Sequence, residues 1–173
     1  CPRAVAIGTF DGVHLGHRSV VRAAVDACRG GELVPTVVTF HPHPRTVLAK
    51  RVELLATLER RLELLAEAGV EEALVVEFSP AIAGLEPDEF ARQYLLAIGA
   101  QVVVAGTGFR FGKRRAGDLE LLRRLGLDAR QVPIVEGMSS TRIRQLAHSG
   151  HVEDAARLLG RPLEVEGTVV GGD

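Results

Sequence analysis

Short β-branched runs alternate with longer helical stretches along this chain, and that alternation constrains its fold more than any other feature. Residues 4–7 read as a buried strand, followed by a glycine-punctuated loop over 8–16. A helix over about 17–29 follows, with Val20, Val21, Ala24, Val25 and Cys28 on one face. Gly30 and Gly31 stop it, since glycine tolerates the left-handed conformation that helix ends favour. Residues 33–40 form a second strand, and the run His41-Pro-His-Pro44 then excludes regular structure, because each proline removes a donor and restricts its predecessor. The same reasoning gives helices over 54–68, 86–98 and 118–125, and strands over 73–78, 101–105 and 132–135. Two short helices start at Ser139 and His151. Strands and helices of these lengths imply right-handed crossovers, hence an α/β, Rossmann-like fold with a five-stranded parallel sheet and helices on both faces. Ligands bind such sheets beyond the carboxyl ends of the strands. Four unusual loops, 8–16, 41–44, 106–117 and 137–144, all follow strands and are expected on that edge.

The length of 173 residues suits one domain with its own core. A net charge of −1 argues against a nucleic-acid partner, although basic residues cluster at 110–115 and 142–144. The two cysteines, Cys1 and Cys28, form no metal-ligand or redox spacing. No apolar run has the length of a membrane span and no signal-peptide pattern opens the chain, so no membrane partner and a cytoplasmic location are expected. A first residue that is cysteine, and a last stretch, 163–173, that reads as a strand entering a turn, are those expected of a fragment.

Chemistry concentrates in two segments. In Gly8-Thr-Phe-Asp-Gly-Val-His-Leu-Gly-His17, glycines such as Gly8 and Gly16 let the backbone approach a ligand, and a helix N-terminus offers N–H groups to an anion. His14 and His17 bracket that helix start, where imidazoles can donate to a phosphate as its charge grows. Spacing alone also admits a zinc pair or two solvent-exposed histidines, although no further Cys or His has matching zinc spacing and no metal ligand is expected. In Gly137-Met-Ser-Ser-Thr-Arg-Ile-Arg144, Ser139 is a good N-cap. Ser140 and Thr141 add hydroxyls, and Arg144 can reach the same anion with a bidentate fork. Alone, that segment reads equally as a cap with a solvated face; paired with the histidine loop it becomes a second phosphate clamp.

With these two motifs in order, the chain resembles the nucleotidyltransferase superfamily with the His-x-Gly-His signature. Thr39-Phe-His-Pro-His-Pro44 and Gly108-Phe-Arg-Phe-Gly-Lys-Arg-Arg-Ala-Gly-Asp118 narrow the likeness. Nearly the whole chain is similar to the FMN adenylyltransferase (FAD synthetase) module of bacterial bifunctional riboflavin kinase/FAD synthetases. The resemblance implies transfer of the adenylyl group of ATP to FMN, giving FAD and pyrophosphate, with no covalent enzyme intermediate. It implies that His14 and His17 stabilise the α-phosphate transition state, and that Ser140, Thr141 and Arg144 hold the β- and γ-phosphates. Gly8, Thr9, Phe10, Asp11 and Gly16 would line the nucleotide site. Pro42, His43 and Pro44 would lie by the flavin phosphate and ring, with Phe109 and Phe111 offering aromatic surface. Magnesium would arrive with ATP, bound mostly through phosphate oxygens. Residues 1–160 would be the adenylyltransferase domain, and 161–173 a linker and the opening of the riboflavin kinase module attached in such proteins. Gly108 stands where the family usually has Asn or Asp.

The alternatives are another nucleotidyltransferase of the same signature, acting on nicotinamide mononucleotide, phosphopantetheine or a cytidylyl acceptor, and a non-catalytic flavin- or nucleotide-binding module. Glu59, Glu63 and Glu67 with Arg60 and Arg61 read as a solvated helix face laced with ion pairs. His148 and His151 read as loop and cap residues. For Lys113-Arg114-Arg115, a solvated loop and a phosphate contact both remain open.

Overall fold

A computed structural model describes the chain except residues 49, 50, 170, 172 and 173. Five parallel strands lie in the order β3-β2-β1-β4-β5: β1 (Arg3–Ile7), β2 (Val34–His41), β3 (Glu72–Glu77), β4 (Ala100–Gly106) and β5 (Asp128–Val132). The first strand is central. The chain builds outward through β2 and β3, then returns to the other side of β1 for β4 and β5. That reversal makes the carboxyl ends of β1 and β4 a switch point, where the connections leave in opposite directions and open a crevice.

Alternation along the strands divides the core. Val5, Ile7, Val38, Phe40, Val76, Val103 and Ala105 face one side, beneath Phe90, Leu95 and Leu122. Ala4, Ala6, Val37, Val102 and Val104 face the other, against Val20, Val21 and Ala24 of α1 (Leu15–Ala27) and Leu64 and Leu65 of α3 (Leu58–Glu67). A third cluster joins Ile143 and Leu146 of α7 (Ser140–His148) to Ala155 and Leu159 of α8 (Val152–Leu159), with Leu55 and Leu163 packed on it.

Five segments depart from the sequence expectations. β5 runs over Asp128–Val132 rather than 132–135. Pro133 has no N–H for the ladder, and an edge strand needs little more than one inward residue, here Ala129. The His41–Pro44 run is not wholly irregular, because β2 extends through His41 and a short helix, α2 (Pro44–Leu48), opens on Pro44. Proline suits a first helical turn, where its missing N–H has no intrahelical partner anyway. α1 begins at Leu15, two residues early, because His14 serves as its N-cap. α3 starts only at Leu58, capped by Thr57, since the Leu55 and Ala56 amides donate elsewhere. The expected helix over 86–98 is an α-helical turn, α5 (Pro87–Ala91), continued by a π-helical one over Arg92–Leu96. The shorter α4 (Pro80–Ala83) and α6 (Leu119–Arg124) complete the connections.

Candidate active site

The loop after β1 is folded tightly against the sheet. Phe10 and Val13 hold φ values of 50° and 43°, uncommon for side chains of their size, and both are buried in the core. Backbone in these regions costs of order 1–3 kcal/mol per residue and clusters at ligand sites. Of the loop residues expected to line a nucleotide site, Phe10 therefore contributes backbone only, its ring lying edge-on to His17 at 5.3 Å.

His14 is 2% exposed, and its Nδ1 accepts the His17 backbone N–H at 3.2 Å, closing the first turn of α1. With Nδ1 an acceptor, neutral His14 carries its proton on Nε2. The two imidazoles stack at 3.5 Å and 17°. Gly16 makes the stack possible: a methyl there would sit 3.0 Å from Ile134 Cγ2 and 3.1 Å from His14 Cε1. Burial lowers the His14 pKa to about 4, opposed by the nearby Asp11 carboxylate. Burial also holds His17 well below its ordinary value, helped by His14 and by the cation of Arg61. Both rings are thus neutral near pH 7, and a neutral imidazole still has one N–H to donate.

Asp11 is 2% exposed and gathers three elements. Its carboxylate accepts the Leu55 N–H at 3.0 Å and the Ala56 N–H at 3.3 Å, and it pairs with Arg144 of α7. Its backbone carbonyl accepts the Ser140 hydroxyl at 2.8 Å. Arg144 Nε also donates to the Glu53 carbonyl at 2.6 Å. The loop after β1 and the start of α7 are 129 residues apart in sequence, yet they share these bonds. The two segments expected to clamp phosphate therefore lie together. There Arg144 is held by Asp11 and Glu53, whereas Thr141 is exposed, its hydroxyl accepting from Arg45 Nη1 at 3.2 Å.

His43 is buried, and its Nδ1 accepts the Arg45 N–H at 3.1 Å. Burial lowers its pKa; Asp11 opposes this, and Arg144, Arg61 and Arg45 add to it, so His43 belongs to the same electrostatic neighbourhood. Pro42 is exposed beside it and Pro44 half-buried. Across the switch point, the half-buried ring of Phe109 stacks on Phe111 at 5.7 Å and 21°. Phe111 itself is core, packed on Phe90, so only Phe109 offers open aromatic surface. Gly108 is exposed with φ 75°, a conformation that Asn or Asp also adopts more readily than most residues.

Other candidates fall outside the cluster. Lys113 pairs with Glu86 at 2.8 Å and Arg110 with Asp118 at 3.2 Å, while Arg114 and Arg115 are exposed. His148 meets Glu53 at 2.7 Å, and His151 lies beside the Ser149 hydroxyl at 3.0 Å at the start of α8. Among the described residues, no three His, Cys, Asp or Glu side chains converge as a metal site.

The model of the FAD synthetase family matches residues 1–145, which include every residue of this cluster. The chain belongs to the FAD synthetase family. A bifunctional riboflavin kinase/FMN adenylyltransferase of Listeria monocytogenes is 37% identical over 99% of this chain and 58% of its own length. An FAD synthetase of the same organism is 35% identical over 98% of this chain and 73% of its own. The chain thus spans little more than half of the bifunctional relative. Among solved structures, a Streptococcus pneumoniae protein described as a macrolide-efflux protein superposes over the whole of this chain and 61% of its own, with a TM-score of 0.90 and 35% identity. Among the described residues of this family member, no helix is long and apolar enough to cross a membrane.

Two buried or half-buried arginines that hold the loop after β1 escaped the sequence reading, Arg61 inside the span matched by the family model and Arg161 beyond it. Arg61 is not on a solvated face: it is 2% exposed, with Nη1 donating to the Thr9 carbonyl at 2.7 Å and the Phe40 carbonyl at 3.0 Å. Its neighbour Arg60 does carry the expected ion pairs, to Glu63, Glu67 and Glu164. The signal was present, since 61, 64, 65 and 68 lie on one helical stripe, but an arginine on such a stripe looks like its edge. Arg161 donates to the Gly12 carbonyl at 2.7 Å, a contact without any local pattern to announce it.

Proposed function

We propose that this chain transfers the adenylyl group of ATP to FMN, releasing pyrophosphate and FAD. A phosphate oxygen of FMN attacks the α-phosphorus in line; the new P–O bond forms as the bond to the β-phosphate oxygen breaks and pyrophosphate leaves. The observation that carries this is the Ser140–Asp11 junction, which places the histidine loop and the α7 N-terminus at one strand edge in a member of the FAD synthetase family. His17 and His14 stabilise the transferring phosphoryl group as neutral donors, which suits a site where the ligand supplies the charge. Ser140, Thr141 and Arg144 hold the β- and γ-phosphates at the helix N-terminus, Arg144 turning between Asp11 and phosphate. Gly8, Thr9 and Gly16 give the nucleotide close backbone approach. His43, flanked by Pro42 and Pro44, and the ring of Phe109 form the flavin side. Magnesium carried in with ATP would neutralise phosphate charge there.

In this reading residues 1–160 are the adenylyl-transfer unit, and the stretch from 161, beyond α8, leads toward a riboflavin kinase module like that of the bifunctional relatives. The site of action is the cytoplasm, where both substrates are free.

The test is to incubate the purified chain with ATP, FMN and magnesium, and to follow FAD by chromatography alongside pyrophosphate. FAD should form, and His17→Ala should lower turnover by roughly 10²–10³, as for loss of one preorganised donor. ATP binding without FAD or pyrophosphate would make this a nucleotide-binding module instead.

A further inference from the structure

Arg61 is a buried cation held in no ion pair; burial disfavours its charge, and the Asp11 carboxylate opposes that only from beyond contact. Among the described residues no carboxylate lies within ion-pairing distance of it, whereas the other charged arginine of the site, Arg144, has Asp11. Removing a guanidinium from water costs several kcal/mol unless it is compensated. Two carbonyls and the Thr39 hydroxyl, 3.3 Å away, supply part of that, but all three are bonded by Nη1 alone. Nε is enclosed with no partner at all. The neighbouring inward positions on α3 are Leu64 and Leu65, so an apolar side chain would fill this layer at lower cost.

The bonding pattern shows what the charge does. A trans peptide points its C=O and the next residue's N–H in opposite directions. By drawing the Thr9 carbonyl toward α3, Arg61 turns the Phe10 N–H away from α3; that N–H has no protein partner among the described residues. The Thr39 hydroxyl, donating to the same Thr9 carbonyl at 3.1 Å, holds the peptide from the second strand.

We infer that Arg61 is a positioning residue for an anionic ligand: it aims the Phe10 N–H at a phosphate of the incoming nucleotide, and its charge beneath the loop, held in no ion pair, favours that anion. The inference deepens the proposed function and rests on it for the identity of the ligand. It also accounts for the influence of Arg61 on His17, which is kept neutral.

Three variants separate charge from bracing. Arg61→Lys keeps a cation and a donor, Arg61→Gln keeps a donor without charge, and Arg61→Met keeps neither. Affinities for ATP and for FMN are measured separately by titration, with thermal melting as the check on folding. Expected is a loss of about 10- to 100-fold in ATP affinity for Arg61→Gln, by analogy with the loss of an outer-shell group that orients a metal's ligand. FMN affinity should change little, and Arg61→Lys should recover most of the loss. Wild-type ATP affinity in folded Arg61→Gln would overturn the inference, as would equal losses for ATP and FMN or a folded Arg61→Lys that binds no better than Gln. If Arg61→Met does not fold, the Gln and Lys variants still decide. Wild-type chain that binds ATP without forming FAD overturns the proposed function alone; wild-type chain that binds no ATP overturns both.

Discussion

At the scale of single residues, the histidine pair carries a pH dependence whose sign follows from burial. His14 titrates near 6.5 when exposed and near 4 in the fold, where desolvation opposes its charged form. The unfolded chain therefore binds this proton first as pH falls. Stability contributed by keeping His14 neutral is complete above about pH 7 and is lost between 6.5 and 4, amounting to about 3 kcal/mol over that window. Urea denaturation across that range should show the slope, and His14→Asn, which keeps a capping acceptor, should remove the His14 share of it while the shares of His17 and His43 remain. Spacing put His14 and His17 three apart at a helix start, on one side of its first turn, and the structure stacks them; spacing alone also left a zinc pair and exposed histidines open. Spacing could not say that His14 spends its Nδ1 on the helix, because that depends on where α1 begins. Arg61 was missed for a different reason: its place on the apolar stripe of α3 was visible, but charge predicts exposure on average, and the carbonyls that hold it inside belong to the distant loop after β1 and to β2.

At the scale of elements, Asp11 ties the loop after β1, the segment before α3 and the start of α7 into one unit. Asp11→Asn keeps the shape and one acceptor oxygen but leaves Arg144, largely buried, without its partner. Breaking a buried pair from one side costs about 3–5 kcal/mol. Denaturant melts should show a loss of that order, and if the pair also sets α7 against the loop, turnover should fall in the variant at temperatures where it remains folded. Most element types could be read from period and punctuation, because buried runs such as 4–7 and 101–105 and leucine-rich stretches such as 54–68 have few alternatives. The ends that moved did so for tertiary reasons. Residues 54–56 look helical, yet Asp11, far back in sequence, takes the Leu55 and Ala56 amides. The edge strand β5 carries Asp128, Arg130 and Gln131, which a propensity argument rejects and an exposed sheet edge permits.

At the scale of the whole molecule, the segment after α8 runs back across the fold to the helix that carries Arg61. Both carboxylate oxygens of Glu164 accept from one edge of the Arg60 guanidinium, from Nε at 2.9 Å and Nη2 at 3.0 Å, and Glu166 accepts from the Thr57 cap hydroxyl at 3.0 Å. One residue beyond Gly160, Arg161 donates to the carbonyl of Gly12, at the crown of the histidine loop. Successive arginines of α3 thus face opposite ways, Arg60 toward this strap and Arg61 toward Thr9. The strap therefore meets the neighbourhood of the histidine loop in two places, directly through Arg161 and through the first turn of α3. Arg161 is the stronger of the two, since its side chain is only 11% exposed and its carbonyl partner sits between Asp11 and Val13. Hydrogen bonds from charged donors are worth about 1.5–3 kcal/mol, so Arg161→Ala should lower unfolding free energy by that much. Because the lost bond restrains the loop, and the sheet does not depend on it, the variant should lose ATP affinity while its far-ultraviolet circular dichroism stays native. Titration of ATP into Arg161→Ala, paired with its urea melt, checks both parts. Native ATP affinity in a variant destabilised by the expected amount would mean that the strap stabilises the fold without reaching the site.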